Sequence, residues 1–297
     1  MLKTLLNAIR YNIWRFRCYK NPISMKRTYA MAILSAICLS VVMNSCSKDD
    51  NSTPPTNEES TVTLTNAKVY SDALYDDVSM EVLQVNTESG LSAQASTQTC
   101  ATITISPNDA TWPKTVTIDY GTAGCTGANG YVRKGKIIYT LNKKLLTTGA
   151  VLTASFDNYS VNGYKLEGTY TITNNGSSAG VNITIQLTNG KVTYPTGVVY
   201  TKVSNTTWVQ AAGIGTLTVL DDEYFVSGNG SVSTAGNTLT AASLGNLYRT
   251  VLCTNTVSGV LNLNYNNISG TLDFGAGDCD KTAVLTVAGK EYNVVLP

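Results

Sequence analysis

The chain reads as all-β: an antiparallel meander forming a sandwich or a curved, barrel-like sheet, preceded by one short helix. Three observations predict this. From Cys100 onward the apolar residues recur with a period of two. Val116, Ile118 and Tyr120 alternate with Thr115, Thr117 and Asp119, and Val181, Ile183, Ile185 and Leu187 alternate with Asn182, Thr184 and Gln186. Such alternation gives each strand one buried and one wetted face, as in antiparallel sheets rather than parallel sheets covered on both sides. Asn-Gly pairs at 129–130, 162–163, 175–176, 189–190 and 229–230 separate strand-like runs, and both residues tolerate the positive φ angles of tight hairpin turns. Helical spacing marks one earlier stretch, Asn66 to Gln84. There Val69, Ala73, Leu74, Val78 and Val82 fall on one side and acidic residues on the other.

Along the chain, residues 1–45 form a signal region. The first 24 residues carry Lys3, Arg10, Arg15, Arg17 and Lys20 and no acid, and read as an extension ahead of a translation start at Met25. Met25-Lys26-Arg27 opens a basic stub, and Ala30 to Met43 is an apolar run too short to span a bilayer. Asn44-Ser45-Cys46 follows, and the sequence turns polar at once. This pattern resembles a bacterial lipoprotein signal peptide, which implies cleavage before Cys46 and diacylglycerol on its thiol. Residues 46–60, with Pro54-Pro55 among polar residues, have the composition of a disordered tether. Residues 61–99 hold the amphipathic helix and a connection, and 100–297 the β domain.

Cys100, Cys125, Cys253 and Cys279 follow Cys46, an even number that reads as disulfides in an exported protein. An internal repeat selects the pairing. Asp119-Tyr120-Gly121 leads to Cys125 and then Gly135-Lys136. Asp273-Phe274-Gly275 leads to Cys279 and then Gly289-Lys290 at the same spacings. Each copy has one cysteine about two strands upstream, which predicts Cys100–Cys125 and Cys253–Cys279. A shorter echo links Asp157–Gly163 with Asp222–Gly228, both D-x-Y-x-V-x-G.

Composition narrows the chemistry. The chain has no histidine, which removes the Ser-His-Asp and Cys-His arrangements, the usual zinc sites and the usual general base near neutral pH. Chemistry by carboxylates alone survives, glycoside hydrolysis being one example. Seven of the 21 basic residues and none of the 20 acidic ones precede Cys46, so the processed chain carries a net charge of −6. An acidic product lacks the basic surface that nucleic acid requires, and no cofactor motif is present.

Candidate sites are weighed against ordinary structural roles. Asp119 and Asp273, at matching repeat positions before glycines, suit acceptors for the following turn. Asp221-Asp222-Glu223 and Asp278-Cys279-Asp280 lack the EF-hand pattern and read as solvated turns. Arg133, Lys134, Lys136, Lys143 and Lys144 read as charges that protect an exposed strand from edge pairing. Trp112, Trp208 and the many tyrosines read as strand residues, with sugar stacking as the functional counterpart.

The signal, the Cys46-Ser47-Lys48-Asp49-Asp50 start and the Thr/Asn/Gly-rich β region together resemble envelope lipoproteins of Bacteroidetes. The repeated cysteine motif resembles domains in uncharacterised lipoproteins of that phylum. The resemblance implies acyl anchoring of Cys46 in the outer membrane, with Lys48-Asp49-Asp50 directing export to the outer face. The expectation is a non-enzymatic surface module that contacts a glycan or a protein. The alternatives are a periplasm-facing carrier of an apolar ligand or lipid, and a carboxylate-only glycosidase.

Overall fold

The computed structural model describes residues 56–88 and 100–297, apart from 128, 146, 177–179, 216–220 and 254. These belong to a unit spanning Thr53–Pro297, separate from Met1–Ser52. The expected signal region, Cys46 and the expected tether as far as residue 55 lie outside the described residues.

Helix α1 (Asn57–Glu88) begins at a capping box. The Thr56 hydroxyl accepts the Glu59 backbone N–H at 3.2 Å, and the Glu59 carboxylate accepts the Thr56 N–H at 2.9 Å. The helix is thus longer than the short element expected, extending beyond Asn66 to Gln84 at both ends. It is also not a surface helix with one wetted side. Leu64, Leu74, Val78 and Val82 are buried, and so are Thr61, Thr65, Ser71 and Ser79. Each of those four hydroxyls donates to the carbonyl four residues earlier, so none needs water.

The strands are β1 (Thr102–Ser106), β2 (Lys114–Asp119), β3 (Cys125–Thr126), β4 (Val132–Leu141), β5 (Val151–Val161), β6 (Tyr164–Asn174) and β7 (Asn182–Thr193). They continue as β8 (Val199–Ala212), β9 (Glu223–Thr234), β10 (Asn237–Thr250), β11 (Ser258–Tyr265), β12 (Ile268–Ala276), β13 (Thr282–Val287) and β14 (Lys290–Val295). All pairings are antiparallel, and each strand adjoins its neighbour in sequence except that β2 pairs β4, with β3 also on β4. The result is one unclosed antiparallel meander, so of the two architectures expected the curved sheet is the one formed. Its inner face surrounds α1. Helix side chains meet Arg133 of β4, Tyr170 of β6, Lys202 of β8, Arg249 of β10 and Tyr292 of β14.

Turn chemistry is met by Asn162-Gly163, where φ is 49° and 84° and β5 reverses into β6. Ala235-Gly236, Asn266-Asn267 and Ala288-Gly289 make equivalent reversals with both φ values positive. Two Asn-Gly pairs do not turn the chain. Asn229-Gly230 lies within β9, and Asn189-Gly190 within β7. Gly190 sits where a Cβ would meet the Lys202 carbonyl oxygen and Leu187 Cδ2, both at 2.6 Å. The register slips there and at Gly168 opposite, forming a bulge. Tyr75 of α1 reaches this bulge, donating its hydroxyl to the Glu167 carbonyl at 2.7 Å and accepting the Lys191 N–H at 3.1 Å.

Both predicted disulfides are present, and each encloses one β-hairpin: Cys100–Cys125 spans β1–β2, and Cys253–Cys279 spans β11–β12. The repeat holds at its first half. Asp119 Oδ1 accepts the Gly121 N–H at 2.9 Å and Asp273 Oδ1 the Gly275 N–H at 2.8 Å. It diverges afterwards, for Gly135-Lys136 lies within β4 whereas Gly289 belongs to the β13–β14 turn and Lys290 begins β14. The shorter echo ends β5 in one copy and begins β9 in the other, so it is not a structural repeat.

Candidate functional site

The chemistry-bearing residues concentrate where α1 meets the inner face of the sheet. Asp72, Asp76, Asp77 and Glu81 lie on successive turns of the helix, and the sheet answers each with a cation. Asp72 is held between Lys68, one turn earlier, and Lys202 of β8. Asp76 pairs with Arg249 of β10. Asp77 accepts Arg133 Nε at 3.0 Å, while Glu81 lies 3.1 Å from Arg133 Nη2. Glu81 also accepts the Tyr120 hydroxyl at 2.8 Å.

Two sequence expectations are corrected here. The helix acids do not form a wetted flank; Asp77 and Glu81 are buried, and their solvation is replaced by the paired guanidinium. Nor is the Arg133–Lys144 cluster an edge guard, because β4 has strands on both sides and Arg133 points inward, 1 % exposed. Lys136 pairs instead with Asp119 at 2.9 Å on the outer face, and Lys143 donates to the Thr148 carbonyl. A cation at an inward position of an alternating strand was the available signal: Arg133, Ile137 and Tyr139 share the inner face.

Burial and pairing compete at these groups. Burial opposes the charge on Asp72, but Lys202 and Lys68 outweigh it and hold the carboxyl at about 2. Lys202 itself is pulled below its ordinary value by burial, despite Asp72. Burial pushes the Asp77 carboxyl up against the opposing pull of Arg133. Arg133 is also desolvated, yet its bonds to Asp77 raise it further, so the guanidinium stays charged.

Beside this array lies a recess of about 380 Å³. Its helix wall carries Asp76, Asp77 and Glu81; its sheet wall carries Arg133, Trp208 and Arg249. Arg249 sits 5.0 Å from the centroid of the Trp208 ring, which in turn packs on Tyr224 at 5.7 Å. Cys253 forms part of one lip, and Tyr131, near the Cys100–Cys125 bridge, part of the other. Ala73, Met80, Val251 and Leu252 join the lining, so apolar and charged walls meet in a space of small-molecule size. Its three carboxylates all come from one helix and face the Arg133 and Arg249 guanidinium groups.

The other predicted groups lie apart. Trp112 is half-buried with Lys114 5.6 Å from its ring. Asp222 is buried at the start of β9, accepting Gln210 Nε2 at 2.8 Å and the Tyr224 hydroxyl at 2.9 Å; it is not the solvated turn expected. Burial raises its carboxyl. Asp280 accepts the Thr282 N–H at 3.0 Å, as a turn residue does. Among the described residues no three Asp, Glu, Cys or His side chains gather at one metal-sized point. No protein family, curated protein or solved structure matches this chain.

Proposed function

We propose that the protein is a non-enzymatic binding module, tethered through acylated Cys46 to the outer membrane and presenting its β domain to the cell exterior. One observation carries this reading. The space a curved sheet would offer a cargo is taken by α1, and the charges there are matched helix to sheet. A carrier of lipid or another apolar ligand needs a dry apolar cavity. The recess beside α1 interrupts its apolar lining of Ala73, Met80, Val251 and Leu252 with carboxylates and guanidinium groups, so it is not a dry apolar cavity. A glycosidase needs two carboxyl groups facing each other across the substrate, whereas Asp77 and Glu81 converge on Arg133.

Protease treatment of intact cells, with lysed cells as control, tests the reading. Digestion on intact cells, together with release of a Cys46→Ser variant from the membrane fraction, is the expected result. Protection until lysis would overturn exterior presentation and favour the carrier.

A further inference from the structure

The outer face of β8–β13 differs from the rest of the surface. Across β2–β7 the outer face carries paired charges, with Lys136 of β4 on Asp119 of β2 at 2.9 Å and Lys191 of β7 on Glu167 of β6 at 2.8 Å. The strands β8–β13 hold four charged residues. Lys202 and Arg249 point to the helix, leaving Glu223 and Asp273 outside. A surface built for solubility carries charge on roughly 25–35 % of its residues.

Exposed apolar side chains, among them Val203, Val209, Phe225, Leu244 and Val284, share this face with polar ones, and the register aligns the polar ones into rows. Asn205 lies opposite Asn229, Asn229 opposite Ala242, Ala242 opposite Asn262, Asn262 opposite Thr271, and Thr271 opposite Thr286. A second row runs alongside through Ser231, Thr240, Asn264 and Ser269. Apart from Asn205, these rows line an outer groove of about 880 Å³, to which β8 contributes Val203 and whose walls contain neither a charged nor an aromatic side chain.

From this geometry we infer that the groove binds a strand of neutral polysaccharide lying across β8–β13. The inference deepens the surface-module reading and rests on it. Neighbouring strands are about 4.8 Å apart, an interval close to the length one pyranose adds to an extended chain. The first row offers an amide or hydroxyl on every strand except β10, where Ala242 stands, and the second offers one on each of β9–β12. Amides and hydroxyls both donate and accept, matching sugar hydroxyls. An anionic polymer would find no cation in the groove to offset its desolvation.

The test is retention of the full-length lipoprotein, in detergent micelles, on insoluble neutral polymers: a β-1,4-glucan, a β-1,3-glucan, a mannan and a polymer of N-acetylglucosamine. Alginate and polygalacturonate serve as anionic controls. Retention on at least one neutral polymer is expected. Asn262→Lys and Thr271→Lys should each weaken it by about tenfold, through lost hydrogen bonds and a charge left unpaired under the ligand. Thr153→Lys, outside the groove on the outer face of β5, should leave it unchanged. Thermal melts of all three variants establish that each is folded, and the exposed Asn262→Ala provides a milder second variant. No retention on any neutral polymer, retention equal in the groove variants, or retention on the anionic polymers alone would overturn the inference. These outcomes are independent of cell-surface presentation, which the protease experiment decides.

Discussion

Arg133 of β4 and Asp77 of α1 lie 56 residues apart in the chain and meet through two hydrogen bonds from one guanidinium, which also lies against Glu81. The register places Arg133 directly opposite Cys125, the residue that bridges to Cys100. Helix, strand and disulfide are therefore joined at a single point beside the recess.

Removing Arg133 leaves two carboxylates buried on α1 with their main counter-charge gone. Arg133→Ala is expected to cost about 3–5 kcal/mol in urea unfolding, the range for breaking a buried pair. The same substitution in an Asp77→Asn, Glu81→Gln background should cost clearly less. An equal loss in both backgrounds would mean that Arg133 acts by packing alone.

Asp72 sets a pH dependence. Its folded value of about 2 lies below the ordinary 3.8, so its contribution is fully present above about pH 4 and is lost as pH falls through 2. Asp77, shifted upward by burial, acts in the opposite sense: its contribution is greatest when protonated and declines as pH rises through its folded value. Asp72→Asn should destabilise the protein at neutral pH, because Lys202 loses its carboxylate, and should flatten the fall in stability between pH 4 and 2. The side chain is one-third exposed, so added salt should reduce the effect. Chemical unfolding at stepped pH reads both changes.

Each disulfide closes a loop of 25 or 26 residues. Chain-entropy reasoning gives about 3 kcal/mol for a loop of this size. Replacing either cysteine pair by serine should lower stability by about that amount. Amide exchange should quicken within the enclosed hairpin, β1–β2 in one case and β11–β12 in the other. Exchange changes spread evenly over the sheet would show that the bridges do not clamp separate hairpins.

The capping box at Thr56 secures the start of α1. Thr56→Ala is expected to cost about 1 kcal/mol, measured by thermal or urea unfolding, and Glu59→Ala should cost a similar amount. Because Glu58 in the same turn meets Lys290 and Tyr292 of β14, faster amide exchange at β14 should accompany the loss. A change confined to the first helical turn would indicate that the cap does not support the last strand.

Much of the molecule was legible because it depends on neighbours in sequence. The inward set Val116, Ile118 and Tyr120 follows from strand geometry alone, and the Asp119 and Asp273 turn bonds reach only two residues. The cysteine pairing was legible through the repeated spacing. Asn189-Gly190 misled because the same φ freedom that permits a hairpin also permits a bulge, and only the approach of β8 and Tyr75 distinguishes them.

Short-range periodicity, turn chemistry and matched spacing were enough to specify the strand class, the meandering order, helix α1 and the two disulfides. Tertiary structure decided that α1 lies within the sheet's embrace, that its acids meet Lys202, Arg249 and Arg133, and that amides and hydroxyls align into rows across β8–β13. Those outcomes depend on register and curvature accumulated over successive strands. A slip of one residue at any bulge would send every following side chain to the opposite face.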